Sequence, residues 1–183
     1  MRNNFFEGLE SLARRDERVV FLTADLGFGF VDRFKEEFPG RFFNVGVAEQ
    51  SMVGIATGLA EGGFLPYCYS IAPFAVARPL EFLRNGPIFQ GLPVVMVGVG
   101  AGFDYGVDGH THFGLDDLSM LLCQPNSQIV MPQNGQAAFE FAAAGQRLNG
   151  LTYVRLARSA VGSHPDWTEG FGTSSVVILA VGD

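Results

Sequence analysis

The feature that most constrains this chain is a regular alternation of short apolar runs with longer stretches whose apolar residues recur at helical spacing. Phe6, Leu9 and Ala13 mark one face of a short amphipathic helix, and Arg18–Ala24 then reads as a buried strand. Further strands are predicted at Phe42–Val47, Leu65–Ile71, Pro93–Val99, Gln128–Met131 and Thr152–Leu156. Between them the pattern predicts helices near Val31–Glu37, Gln50–Gly62, Phe74–Phe89, Leu115–Leu122 and Gln136–Leu148. Continuous apolar strands separated by helices imply an α/β domain with a mostly parallel sheet and helices on both faces. In such sheets ligands gather beyond the carboxyl ends of the strands. Three polar, glycine-bearing loops fall there: Asp25–Phe30, Gly46–Gln50 and Gly100–Phe113.

Composition narrows the class of partner. A chain of 183 residues, 48% of them hydrophobic, supports one good core, so a single compact domain is expected. Twelve basic residues against 19 acidic ones give a net charge of −7, which disfavours nucleic acid and anionic membranes as partners. An anionic ligand must therefore be met by local charge. Cys68 and Cys123 make no metal or redox spacing and read as reduced core residues of a cytoplasmic protein. The first twenty residues interleave acids with bases and lack a secretory pattern, and no segment is long and apolar enough to span a bilayer.

One charged residue stands out against the apolar pattern. In Asn44-Val45-Gly46-Val47-Ala48-Glu49-Gln50 an apolar strand runs into a helix whose body carries Met52, Val53, Ile55, Ala56, Leu59 and Ala60. Glu49 lies in the first turn, where the positive end of the helix stabilises its charge. Two readings stand: a glutamate that favours a helix start, or a catalytic carboxylate held at a strand-to-helix junction.

The Gly100–Gly114 loop gathers His110 and His112 with Asp104 and Asp108, a concentration of titratable groups that marks a candidate site. The spacing of His110 and His112 on a glycine-rich loop fixes no metal geometry, so hydrogen bonding to a ligand or acid–base work fits these histidines better. A solvated loop with glycines for tight turns is the alternative. Pro73 suits a helix start, and Phe74 behind it faces either a ligand or the core. Arg78 and Arg84 on that helix, and Arg155 and Arg158 around the last strand, are candidates for an anion or for ordinary salt bridges. No phosphate-binding G-x-x-x-x-G-K-[ST], no strand-linked G-x-G-x-x-G and no G-x-S-x-G elbow occurs. Beyond residues 1–162, the polar, turn-rich Ser163–Ser175 reads as a linker, and Val176–Val181 as a strand. That strand is either an edge of the same sheet or, with 163–183 as a whole, the entry to a further, missing or truncated C-terminal domain.

Five motifs in order carry a resemblance. Leu22-Thr-Ala-Asp25-Leu, Gly46-Val-Ala-Glu49-Gln, Ser70-Ile-Ala-Pro-Phe74-(x)3-Arg78-(x)2-Glu81-(x)2-Arg84, Asp108-Gly-His-Thr-His112 and Arg155-Leu-Ala-Arg158 together resemble the pyrimidine-binding domain of the transketolase family, from about Phe5 to Arg158. The resemblance is greatest to the second chain of two-chain transketolases, and deoxyxylulose phosphate synthase is similar through the same Ala-Glu-Gln and Asp-Gly-x-Thr-His motifs. It implies the thiamine diphosphate-binding fold, with thiamine diphosphate as cofactor and ketol transfer between sugar phosphates as the reaction. It further implies that Glu49 hydrogen-bonds the cofactor's aminopyrimidine and activates it, that Phe74 packs on that ring, and that His112 hydrogen-bonds substrate oxygen near the reactive carbon. Asp108 matches a residue that reads a donor hydroxyl, and Arg78 and Arg158 match arginines that hold a substrate phosphate.

Departures from the family pattern shape the remaining expectations. Ile71 stands at a cofactor-stacking position where many members carry an aromatic, His110 replaces the usual proline or glutamine, and Asp25 matches an acidic position on the site rim. No Gly-Asp-Gly motif, which in the family holds the diphosphate and Mg2+ or another divalent ion, occurs in the sequence. The resemblance therefore implies a partner subunit that carries it, in a hetero-tetramer or around a homodimer of this domain. A 2-oxoacid dehydrogenase E1 β-type subunit, a deoxyxylulose phosphate synthase-like role and a non-catalytic subunit of the same fold are the alternatives.

Overall fold

The computed structural model describes residues 1–145 and 149–158. Helix α1 (Arg2–Arg15) leads into β1 (Val19–Thr23), α2 (Asp32–Glu37), β2 (Phe42–Asn44), α3 (Glu49–Glu61) and β3 (Leu65–Ile71). Then come α4 (Ala72–Val76), α5 (Leu80–Leu83), β4 (Val94–Val99), α6 (Asp117–Leu122), β5 (Ser127–Val130), α7 (Gly135–Ala144) and β6 (Leu151–Leu156). The six strands form one sheet in the order β2-β1-β3-β4-β6-β5, and every pairing is parallel. The predicted strand at Val176–Val181 and the linker before it lie outside the described residues, as do the last three residues of the helix expected to reach Leu148.

Strands β1, β4 and β6 are buried along their whole length because helices cover both faces of the sheet. On one face Phe5, Phe6 and Leu9 of α1 pack with Phe21, Phe34, Tyr69, Val97 and Ala142. Edge-on ring contacts bind this layer, with Phe6 5.4 Å from Phe21 and 5.3 Å from Tyr69. On the other face Met52, Val53 and Ala56 of α3 meet Cys68, Leu83, Met96, Leu121 and Tyr153.

Three expectations change. The strand predicted at Phe42–Val47 is only Phe42–Asn44 and lies at the sheet edge, where Phe43 is 42% and Val47 71% exposed. An edge strand has one neighbour, and Gly46, at φ 74°, turns the chain away before Val47. The helix predicted across Phe74–Phe89 is divided. Proline cannot donate to a helical ladder, and the chain breaks at Pro79 and again at Gly86-Pro87, where a π-helical turn (Arg84–Ile88) holds Gly86 at ψ −106°. Cys68 is buried, but Cys123 is exposed at the end of α6 and is no core residue.

Candidate active site

The site lies at the carboxyl edge of the sheet, above β1 and β3, where the connections part to opposite sides of the strand order. Glu49 is the first residue of α3 and is 1% exposed. Its carboxylate is satisfied from two sides: Ser70 Oγ donates to Oε1 at 2.8 Å, and Arg78 Nη1 meets Oε2 at 2.5 Å. Ser70 lies near the end of β3 and is fully buried, so the carboxylate is aimed by a rigid strand. Arg78 is less enclosed, with 35% of its side chain exposed.

From Glu49 an unbroken series of contacts crosses the site. The Arg78 guanidinium lies 4.1 Å above the Phe74 ring, and Phe74 meets His112 edge-on at 5.0 Å. His112 in turn lies 5.7 Å from Tyr105, and the Arg158 guanidinium lies 4.9 Å over that phenol ring. His112 Nδ1 is 3.0 Å from Thr111 Oγ1, which leaves Nε2 as the ring atom available to a ligand. Ile71, at the end of β3, is buried in the core layer against which Phe74 packs. Phe74 falls inside α4, whose first turn carries Pro73.

The loop holding His112 is tied at its base. Gly102 and Gly114 exchange two backbone hydrogen bonds of 3.0 Å, and Gly100 N donates to Leu156 O at 2.9 Å. His110 and Asp108 project from the same loop and are exposed. Among the described residues no three His, Cys, Asp or Glu side chains gather as a metal site. Asp25 stands at φ 59° on the rim, where Asn44 clamps it: Asn44 Nδ2 donates to Asp25 Oδ1, and Asn44 Oδ1 accepts from Asp25 N and from Gly46 N, each at 3.0 Å. That clamp links the first site loop to the turn that delivers Glu49.

Two arginines differ from their sequence reading. Arg155 is unavailable to an external anion, because it is buried against Asp117 with Nε 3.0 Å from Oδ2. Arg2, which drew no attention in the sequence, stands beside the site. Its guanidinium lies 4.0 Å over Phe30 and hydrogen-bonds Tyr69, its Nε is buried without a hydrogen-bond partner among the described residues, and its charge acts on both Tyr69 and Tyr105. Burial pushes the Tyr105 phenol up, opposed by Arg158 and Arg2 and reinforced by Asp108 and Asp104. One signal for Arg2 was present: a cation in the first helical turn works against the helix dipole, so helix stability does not account for it.

A buried carboxylate at a helix start, aromatic side chains and a cation-bearing rim meet at one edge of this α/β domain, and comparison with known proteins gives its family. Residues 1–163 match the transketolase pyrimidine binding domain, and the chain belongs to that family. It is 35% identical over 162 residues to the 6-deoxy-6-sulfo-D-fructose transketolase subunit SqwH of Clostridium sp. (strain MSTE9), covering 86% of this chain and 49% of that one. It is 39% identical over 133 residues to 1-deoxy-D-xylulose-5-phosphate synthase of Clostridium perfringens (strain SM101 / Type A), covering 72% of this chain and 21% of that one. Among solved structures, a split gene transketolase described as an inactive β4 tetramer superposes with a TM-score of 0.77 at 31% identity, over 88% of this chain and 52% of that one. The chain thus spans about half or less of the length of these relatives.

Proposed function

We propose that this chain is the pyrimidine-binding subunit of a two-polypeptide, thiamine diphosphate-dependent transketolase, transferring a two-carbon ketol unit between sugar phosphates in the cytoplasm. The observation that carries this reading is the Glu49 carboxylate, buried at the start of α3 and aimed by Ser70 next to an aromatic wall. Relatives that are themselves transketolase subunits support the two-chain arrangement.

The residues fit such a cofactor. A carboxylate has about four acceptor positions, and Ser70 and Arg78 engage one on each oxygen, which leaves Glu49 able to accept from a ring nitrogen. When bound, thiamine diphosphate supplies an acidic ring carbon that serves as the nucleophile toward a ketose carbonyl. Glu49 would share a proton with the pyrimidine nitrogen, and burial would make that exchange effective because no water competes for the carboxylate. Phe74 and Ile71 offer an apolar surface that would pack against the pyrimidine ring. His112 presents Nε2 to substrate oxygen, Asp108 reads a donor hydroxyl, and His110 and Asp25 border the entrance. Arg158 and Arg2, with Arg78 nearer Glu49, provide the positive charge that a phosphate requires in an otherwise acidic chain. The diphosphate and its Mg2+ fall to a partner subunit bearing Gly-Asp-Gly, within a hetero-tetramer.

The test is calorimetry with thiamine diphosphate and Mg2+ on this chain, on a Gly-Asp-Gly-bearing partner subunit, and on their mixture, followed by assays of ketol transfer and of 2-oxo acid decarboxylation. The expected result is tight, Mg2+-dependent binding and ketol transfer in the mixture alone. Tight binding or turnover by this chain without a partner, or 2-oxo acid decarboxylation in place of ketol transfer, overturns the proposal.

A further inference from the structure

Beneath the 100–114 loop lies a buried charged cluster that the proposed chemistry does not use. Asp117, at the start of α6, is completely buried, and Arg155 on β6 is 6% exposed. Tyr153 Oη donates to Asp117 Oδ2 at 2.6 Å, while Arg155 reaches the same carboxylate through Nε at 3.0 Å and Nη2 at 3.3 Å. Burial and the adjacent Asp117 charge push the Tyr153 phenol well up, so it stays a donor. The second function of Arg155 Nη2 is to donate to the carbonyl of Gly114, the residue that closes the loop against Gly102. Gly114 O therefore receives both Gly102 N and the arginine.

A buried ion pair is a poor route to stability, since apolar residues of similar volume often serve as well or better. This one holds something particular. The planar guanidinium spans a side-chain carboxylate and a loop carbonyl at once, which the single ammonium of a lysine does not reproduce. The sheet has been shaped for it as well. Gly98 sits near the carboxyl end of buried strand β4, directly beside Arg155, and a Cβ there would come within 2.5 Å of Tyr153 Oη. Both ends of the loop thus rest on β6, through Gly100 N on Leu156 O and through Gly114 O on Arg155. Two residues before Gly114 stands His112. Three after Arg155 stands Arg158, whose backbone N–H donates to Asp104 Oδ2 in the loop at 2.6 Å.

We propose that Arg155, Asp117 and Tyr153 form a positioning latch that fixes the base of the 100–114 loop and so sets where His112 and Arg158 meet the substrate. The part played by His112 and Arg158 toward substrate rests on the function proposed above, whereas the latch is a property of this chain by itself.

Hydrogen–deuterium exchange on the full chain separates the two. Arg155→Met with Asp117→Leu removes both charges together, leaving no lone buried ion, and Arg155→Lys keeps the charge but loses the fork. In the double variant, peptides covering 100–114 should exchange about tenfold faster or more, while β4 and β1 keep their protection. Arg155→Lys should show the same selective change, smaller in size, and serves if the double variant does not fold. Unchanged exchange in 100–114 in a folded variant, or a uniform rise across the whole sheet, overturns the latch. In the assembled enzyme, Arg155→Lys should raise KM for phosphorylated sugars more than it lowers kcat. Failure of the unsubstituted assembly to transfer ketol units would overturn the functional reading and leave the exchange result to decide the latch.

Discussion

Arg78 and Glu49 form an ion pair of 2.5 Å in which one partner is sealed from water and the other is not. The carboxylate is 1% exposed and the guanidinium side chain 35%. The pair neutralises a charge that would be costly to bury alone, and does so with a residue that can turn toward solvent.

Removing the charge at Glu49 separates structure from chemistry. Glu49→Gln keeps an acceptor for Ser70 Oγ but loses the ionic partner of Arg78 and the capacity to share a proton. In the assembled enzyme turnover should fall roughly 100- to 10,000-fold with the fold intact. Near-normal ketol transfer in a folded variant, measured by steady-state kinetics, would remove Glu49 from the chemistry.

Removing Arg78 leaves the carboxylate buried with Ser70 alone. Breaking a fully buried pair costs several kcal/mol, but the open side of Arg78 admits water, so Arg78→Met should destabilise the chain by about 1–2 kcal/mol. The denaturation midpoint measures this. In Arg78→Met combined with Glu49→Gln the cost should shrink, because no unpaired charge remains; additive losses would show that the two side chains do not depend on each other.

A third buried carboxylate gives a pH dependence with a definite sign. Glu10 on α1 is 2% exposed, meets Arg33 at 2.8 Å and Arg14 at 3.8 Å, and carries a pKa raised above 4.5 chiefly by burial, with the two arginines opposing it. The folded state therefore holds this proton more tightly than the unfolded chain. Stability from this group is fully present below about pH 4.5 and is lost as pH rises through the higher folded value. Arg33 is 62% exposed and compensates only weakly. Glu10→Gln should accordingly raise Tm at pH 7, with the gain disappearing toward pH 4. A gain that persisted or grew in acid would contradict this assignment.

The sheet could be read from sequence because strands covered on both faces are written as uninterrupted apolar runs, as in Val94–Val99. Glu49 was legible for the converse reason, as one charge at the junction of two apolar elements. Periodicity does not say whether a strand is central or at an edge, and so the run from Phe42 to Val47 gave no hint that Val47 stands in solvent. Nor does spacing reveal partners brought together by the fold. Arg155 and Asp117 are 38 residues apart, and an arginine in a strand looks the same whether it awaits an anion or already holds a buried carboxylate. For Arg2 the sequence showed only a cation set against the helix dipole, and not that Phe30 and Tyr69, far along the chain, come to meet it.

The two neighbouring histidines should respond differently to substitution. His112 is packed between Phe74 and Tyr105, whereas His110 is exposed two residues away. In the assembled enzyme His112→Ala should lower kcat/KM by about 100-fold or more through loss of a positioned hydrogen bond, while His110→Ala should mainly alter preference among sugar phosphates. Exchanged effects would mean that the loop presents the other imidazole to the reacting carbon.

Arg2 offers the sharpest test of how far the site extends. Its guanidinium hydrogen-bonds Tyr69, but its Nε lies buried with no partner among the described residues, and its charge, like that of Arg158, acts on Tyr105. A guanidinium with one buried N–H still unpaired is well suited to an anion arriving from outside, and poorly accounted for by the helix it begins. Arg2→Ala should raise KM for phosphorylated sugars roughly tenfold or more with kcat little changed, because a phosphate grip made equally in the ground state and the transition state affects binding alone. A non-phosphorylated sugar should show no such difference between the variant and the unsubstituted enzyme. Loss of kcat for both kinds of substrate, or an unchanged KM for the phosphorylated one, would make Arg2 a support for the Phe30 and Tyr69 rings and no part of the anion site.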